Sequence, residues 1–129
     1  MNTVITPSTI APPAARYAHG VLCSTGSTVL HTSGIVPTRP DGSTPTDIAD
    51  QALVVWSNIE AVVVEAGMAM SDIVSITTYV VVGHLDELGR VMAARDAALA
   101  GHLACSTLVT VPALARPEWK MEIAVIAAR

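Results

Sequence analysis

Charge is what this chain is short of. Only 14% of its 129 residues are Asp, Glu, Lys or Arg, against 51% hydrophobic, and the mean hydropathy is +0.52. A domain this small keeps most residues near its surface and ordinarily carries more charge. Yet no apolar run approaches the roughly 18 residues that a membrane helix needs. The surplus apolar surface must then be covered by other copies of the chain or by a partner, and a homo-oligomer is expected. Cations are scarcer still. Seven Lys and Arg against 11 Asp and Glu give a net charge of −4 with no basic stripe, which argues against a nucleic-acid partner. Two cysteines, Cys23 and Cys105, are too few and too far apart for a disulfide framework or a zinc site. The opening "MNTVITPSTIAPPAARYAHG" has neither a charged n-region nor a continuous apolar h-region. No signal peptide and a cytoplasmic location with free thiols are therefore expected. Repeats, linkers and low-complexity tracts are also absent, so residues 1–129 are expected to form one domain.

What is present reads as alternating elements. "TVIT" (3–6) is a short apolar stretch. Two extended runs, about 17–23 and 28–33, flank "STGS" and are expected to pair as a hairpin, with Gly26 at the turn. A proline-rich loop (36–47) leads to a helix that Asp47 is expected to cap, with Leu53, Trp56, Ile59, Val63 and Ala66 at helical spacing and Gly67 as its end. "DIVSITTYVVVG" (72–83) is almost wholly β-branched and reads as a central strand that wants burial on both faces. Residues 84–101 read as a second helix with Leu85, Leu88, Met92 and Leu99 near one face, and Gly101 as its stop. "CSTLVTVP" and "WKMEIAVIAA" are the last strands. The order β-β-β-α-β-α-β-β implies an α+β fold: a mixed six-stranded sheet with two helices on one face.

Several stretches then fall at familiar spacing: "RYAHG" (16–20), "HTSGIVP" (31–37), "DIADQALVVWSNIEAVVVEAG" (47–67), "MSDIVSITTYV" (70–80) and "KMEIAVIAA" (120–128). In that order, across nearly the whole chain, they resemble the RidA family, also called YjgF/YER057c-like proteins. The resemblance implies a chorismate-mutase-like fold and a homotrimer around a central barrel, with a ligand pocket in each subunit cleft. It also implies hydrolysis of reactive enamines or imines such as 2-aminoacrylate, to a 2-oxo acid and ammonia, without a metal or organic cofactor.

Carried over residue by residue, the resemblance marks Tyr17 as a pocket tyrosine. Ser33 and Gly34 match a turn whose hydroxyl and backbone N–H face the substrate, although Ile35 stands where the family usually has Gln. Glu122 matches the glutamate that activates water. On a predominantly apolar strand, its carboxylate needs a reason: catalysis, or an ion pair with Lys120 or with a neighbouring subunit's arginine. Thr107 matches a position whose backbone carbonyl holds the attacking water. The departure is Cys105, which stands where the family's substrate-anchoring arginine belongs. A thiol has neither the charge nor the two-donor fork that grips a carboxylate. Met92 likewise replaces a helix asparagine. These changes point to a more apolar pocket and away from a generic 2-aminoacrylate deaminase. Cys105 reads as a small wall residue, since no spacing specifies a base to activate it as a nucleophile. His19 is an alternative acid–base group or a polar contact. Trp119 is either an apolar lid or interface packing. Arg16, Arg90 and Arg95 read as solvated side chains, any of which could instead replace the missing anchor. The chain is thus expected to act on a small-molecule substrate, by C–N hydrolysis, by tautomerisation, or as a non-catalytic binding trimer.

Overall fold

The computed structural model describes residues 2–10 and 12–129. Four strands form one mixed sheet in the order β3 (Val29–His31), β6 (Met121–Ala128), β4 (Ile73–Val81), β5 (Cys105–Val111). Strands β4 and β5 are parallel, joined by a crossover through helix α2 (Leu88–Leu99), and β6 runs antiparallel to both β3 and β4. Helix α1 (Ile48–Glu65) connects β3 to β4. The fold is α+β, with two helices and a mixed sheet.

The expected six-stranded sheet is divided. Strand β1 (Thr3–Ile5) pairs with β2 (Gly20–Leu22) as a separate two-stranded ribbon, and the expected β2–β3 hairpin does not form. Six residues, 23–28, separate the two strands, not the two of a tight hairpin turn. Gly26 (φ +82°) and the Ser27 hydroxyl, donating to Ser24 O at 2.8 Å, still make a turn there. With the strands unlocked from each other, β3 takes the free edge of β6 and packs Leu30 against the core. The chain just before β2 stays close to the main sheet, because Ala18 N donates to Ala104 O at 2.8 Å beside the start of β5.

One face of the sheet makes the core. Ile48, Ala52, Val55, Trp56, Ile59 and Val63 of α1 pack with Val91 and Leu99 of α2 over Ile76 and Val80 of β4 and Met121, Ile123 and Val125 of β6. The stripe on α1 runs through Ala52 and Ile48, so Leu53, expected inside, is 58% exposed. Gln51 is fully buried in that stripe, its amide bonded to Pro45 O, Glu118 O and Lys120 N. Asp47 precedes α1 without capping it, because both carboxylate oxygens are engaged by Arg90 of α2, at 3.0 and 2.8 Å. The second helix begins later than expected. Residues Val82–Glu87 form a 3₁₀ segment, which turns Leu85 out to solvent.

Strand alternation puts Ser75, Thr77, Tyr79 and Val81 of β4 on the other face with Glu122, Ala124 and Ile126 of β6, and all are half-buried in the single chain. Leu22, Val29 and Val109 are exposed, so part of the apolar surplus read from composition lies on the surface of the isolated chain.

Candidate functional site

A cavity of about 180 Å³ opens between α2 and the sheet, lined by Tyr17, Thr78, Val91, Met92, Arg95, Ser106, Leu108 and Ile123. Its geometry follows from alternation. Ser106 and Leu108 are the β5 residues turned toward the helix, opposite in direction to Cys105 and Thr107. Val91 and Arg95, four apart on α2, form the opposing wall with Met92. Ser106 and Thr78 are too small to fill the space between.

Arg95 is the side chain for which solvation was the expected state, and the structure reverses that. It is 6% exposed. Position 95 lies one turn from Val91 and one turn from Leu99 on the buried stripe of α2, so its stem is drawn inward. Its Nε donates to Asp96 Oδ1 at 3.0 Å and its Nη1 to Ser106 Oγ at 3.3 Å. Nη2 lies 2.9 Å from the same Asp96 oxygen, close enough for charge pairing, but its N–H groups are not aimed at that oxygen and it makes no hydrogen bond. The signal was available in the sequence as the Val91–Arg95–Leu99 spacing. Arg90, by contrast, is exposed and paired with Asp47, and Arg16 is exposed. The Arg90 guanidinium holds the Asp47 carboxyl below its ordinary pKa, and Asp47 in return raises that of Arg90.

Tyr17 and Met92 line the cavity as expected. The Tyr17 hydroxyl accepts from Ala14 N at 3.3 Å, and its ring meets His19 edge-on with centroids 6.2 Å apart. His19 itself is not on the cavity wall; its Nδ1 is buried without a hydrogen-bond partner. Cys105 and Thr107 do not line this cavity in the single chain. The Cys105 thiol is free, half-buried, and directed at His19 O 3.9 Å away. Of "CST", the residue facing the cavity is Ser106.

A second group forms on the opposite face of the sheet. Pairing of β3 with β6 runs His31 against Ile126, then resumes at Ile35 against Ile123, leaving one extra residue on the β3 side. This bulge brings Gly34, next to Ser33 in the chain, beside Glu122. A Cβ placed on Gly34 would stand 2.9 Å from Glu122 Cδ and closer still to Oε2. Gly34 is not in the positive-φ region, so glycine is needed here for space and not for backbone conformation. Among the described residues Glu122 has no ion pair. Lys120, the partner considered for it, instead donates its Nζ to Thr46 O at 2.5 Å. Trp119 is half-buried just before β6, stacked under Arg116 at 5.3 Å, and does not line the cavity.

The expected site residues therefore fall into two groups. Leu108 and Ile123 of the cavity both pair with Thr78, next to Tyr79, the partner of Glu122, so the two groups lie at nearly the same level of the sheet on opposite faces. Glu122 also faces away from its neighbour Ile123, which lines the cavity. Among the described residues, no three His, Cys, Asp or Glu side chains are placed to hold a metal ion, and no helix is long and apolar enough to cross a membrane.

Comparison with known proteins bears on this arrangement. The family model described as "Endoribonuclease L-PSP" matches residues 8–129. TdcF of Escherichia coli (strain K12), provisionally named a reactive intermediate deaminase, is 37% identical over 81 residues, 62% of this chain. That match spans only 57% of TdcF's own length. The "2-iminobutanoate/2-iminopropanoate deaminase" of the same organism is 33% identical over 126 residues, covering 95% of this chain and 91% of the relative. Among solved structures, a protein of unknown function of the conserved Rid family, YyfB from Yersinia pestis, superposes with a TM-score of 0.91 at 30% identity, covering 99% of this chain and 98% of that one. E. coli TdcF with bound serine gives 0.73 at 27% identity, covering 98% of each chain.

Proposed function

The chain belongs to the RidA (YjgF) family, and from that premise we propose that it hydrolyses the C–N bond of a small imine or enamine, with Glu122 holding and deprotonating the water. The observation that carries this reading is the space kept open at Gly34 for the Glu122 carboxylate. A carboxylate with no ion pair, beside a glycine that carries no side chain, is free to hold a water and take its proton. The water oxygen adds to the imine carbon, and Glu122 accepts the proton and returns it to the nitrogen. The C–N bond of the tetrahedral adduct then breaks, releasing ammonia and leaving a carbonyl. One water is consumed and no redox partner is needed.

The relatives' names support the reaction class, since a 2-iminobutanoate deaminase performs this conversion. The substrate preference is this chain's own. Val91, Met92, Leu108 and Ile123 offer apolar wall to a substrate side chain longer than the single methylene of 2-aminoacrylate. A substrate with an apolar side chain is preferred, and the protein is not a generic 2-aminoacrylate deaminase. In this reading a homotrimer completes the site, with the Gly34–Glu122 face of one copy closing the cavity of the next.

The test uses imines generated in situ from 2-aminobutanoate and norvaline by an amino-acid oxidase, with ammonia release followed for the native protein and Glu122→Gln. Native turnover that Glu122→Gln loses, while still binding 2-oxobutanoate, supports the reading. Proton exchange without ammonia would instead identify a tautomerase, and binding without either reaction a non-catalytic trimer. Either result overturns the proposal.

A further inference from the structure

We propose that Arg95, presented from helix α2, is the residue that binds the carboxylate of the substrate. It fills a role for which Cys105, a thiol on the other face of β5, has neither charge nor donors. This names the substrate class of the reading above, a 2-imino acid, and rests on it.

Among the described residues Arg95 is the one cation on the cavity wall, and every other lining residue is neutral. A guanidinium has five N–H groups. Those of Nε and Nη1 each make one hydrogen bond, to Asp96 and Ser106, while Nη2 makes none although it is buried. The single Asp96 oxygen nearest the guanidinium leaves the Nη1–Nη2 edge with donors to spare. That edge offers two parallel N–H vectors, the geometry a planar carboxylate accepts bidentately. Ser106 accepts from Nη1, so its own O–H remains free to donate to an anion held there.

Size agrees. At roughly 30 Å³ per water, the cavity holds about six waters' worth of space, close to a four-carbon 2-oxo or 2-imino acid. With the carboxylate at Arg95, the rest of such a molecule lies among Val91, Met92 and Leu108. Position 95 is itself fixed by the helix, so the guanidinium is preorganised and its stem already ordered.

The experiment compares 2-oxobutanoate with its uncharged primary amide. Native protein labelled with [¹⁵N]arginine is titrated with each, following side-chain Nε–Hε resonances, and affinities are measured by calorimetry. The acid is expected to shift the Arg95 resonance and to bind about 30-fold more tightly than the amide, the loss typical of one charge-assisted contact. In Arg95→Met, whose side chain keeps an apolar stem, acid and amide should bind equally weakly, and the KM for 2-iminobutanoate should rise by a similar factor. Equal binding of acid and amide by the native protein would overturn the proposal, as would an unchanged acid preference in Arg95→Met. Should that variant not fold, the native titration decides. If the native protein releases no ammonia yet binds the acid through Arg95, the hydrolase reading fails and the anchor stands. If it turns over with no dependence on Arg95, the anchor fails and the hydrolase stands.

Discussion

Replacing Gly34 by alanine adds one methyl group to an exposed position, and the structure gives that methyl a definite cost. The new Cβ would lie 2.9 Å from Glu122 Cδ, inside the closest approach that carbon atoms tolerate, with a carboxylate oxygen nearer still. Since Gly34 has no positive φ, alanine fits the backbone and the strain falls on the Glu122 side chain. The carboxylate must swing away by about 1 Å, a displacement that commonly lowers a catalytic rate on the order of 10²-fold. Stability should hardly change, because the residue is exposed and the glutamate can move toward the open face of the sheet. The assay is steady-state ammonia release from 2-iminobutanoate by Gly34→Ala, Glu122→Gln and the double variant, with thermal unfolding as the control. The expected result is a drop of about 10² in kcat for Gly34→Ala and almost no further loss when it is added to Glu122→Gln, since both act on one group. A Gly34→Ala enzyme within twofold of native kcat, or full additivity of the two changes, would refute the reasoning.

Two further outcomes concern the frame that holds the site. Gln51 is fully buried and ties α1 to Pro45, Glu118 and Lys120 through three hydrogen bonds of 2.8 to 2.9 Å. Gln51→Met matches its volume but strands those backbone groups, so urea unfolding should show a loss of about 3 kcal/mol, and a loss under 1 kcal/mol would contradict the network's importance. The Asp47–Arg90 pair joins the start of α1 to α2, with the Asp47 pKa depressed below its ordinary value of 3.8 chiefly by the Arg90 hydrogen bonds. A depressed carboxyl pKa stabilises the fold above the unfolded value and loses that contribution as pH falls through the folded one. The melting-temperature gap between native protein and Asp47→Asn should therefore hold from neutral pH to about 5 and narrow progressively as pH falls below about 3.8, whereas a gap that does not change with acidification would assign it to something other than this ionisation.

The parts of the fold legible in the sequence were those whose signals are local. The β-branched run 73–81, the alternation of 121–128 and the Trp56–Ile59–Val63 spacing each specify an element by themselves. The ribbon of β1 and β2 was misread because three-residue strands carry little pattern and their partners are chosen across the chain, Thr3 against Leu22. At the site, resemblance marks Glu122 and Gly34, and their close packing gives the steric reason that joins them. Arg95 reads in the sequence as solvated, with anchoring only the alternative, for a physical reason too. An arginine on an amphipathic helix is ordinarily solvated, and only the Val91–Arg95–Leu99 register, read together with the small Ser106 opposite, shows that this one turns inward. For the same cause the wall residue expected at Cys105 proves to be its neighbour Ser106: which face of β5 meets the cavity depends on α2, which the strand's own sequence does not encode.

The central claim is that the two groups of residues belong to one site and meet only between copies. Mixing chains tests it most directly. Glu122→Gln retains an intact Arg95 half and Arg95→Met an intact Glu122 half, so each alone should be nearly inactive at low 2-iminobutanoate. Co-refolded in equal amounts into random trimers, they should recover about a quarter of the native kcat/KM, the fraction of clefts that receive both native halves. No recovery in a mixture shown to contain mixed trimers would mean that one chain supplies the whole site, and the account of a shared cleft would be wrong.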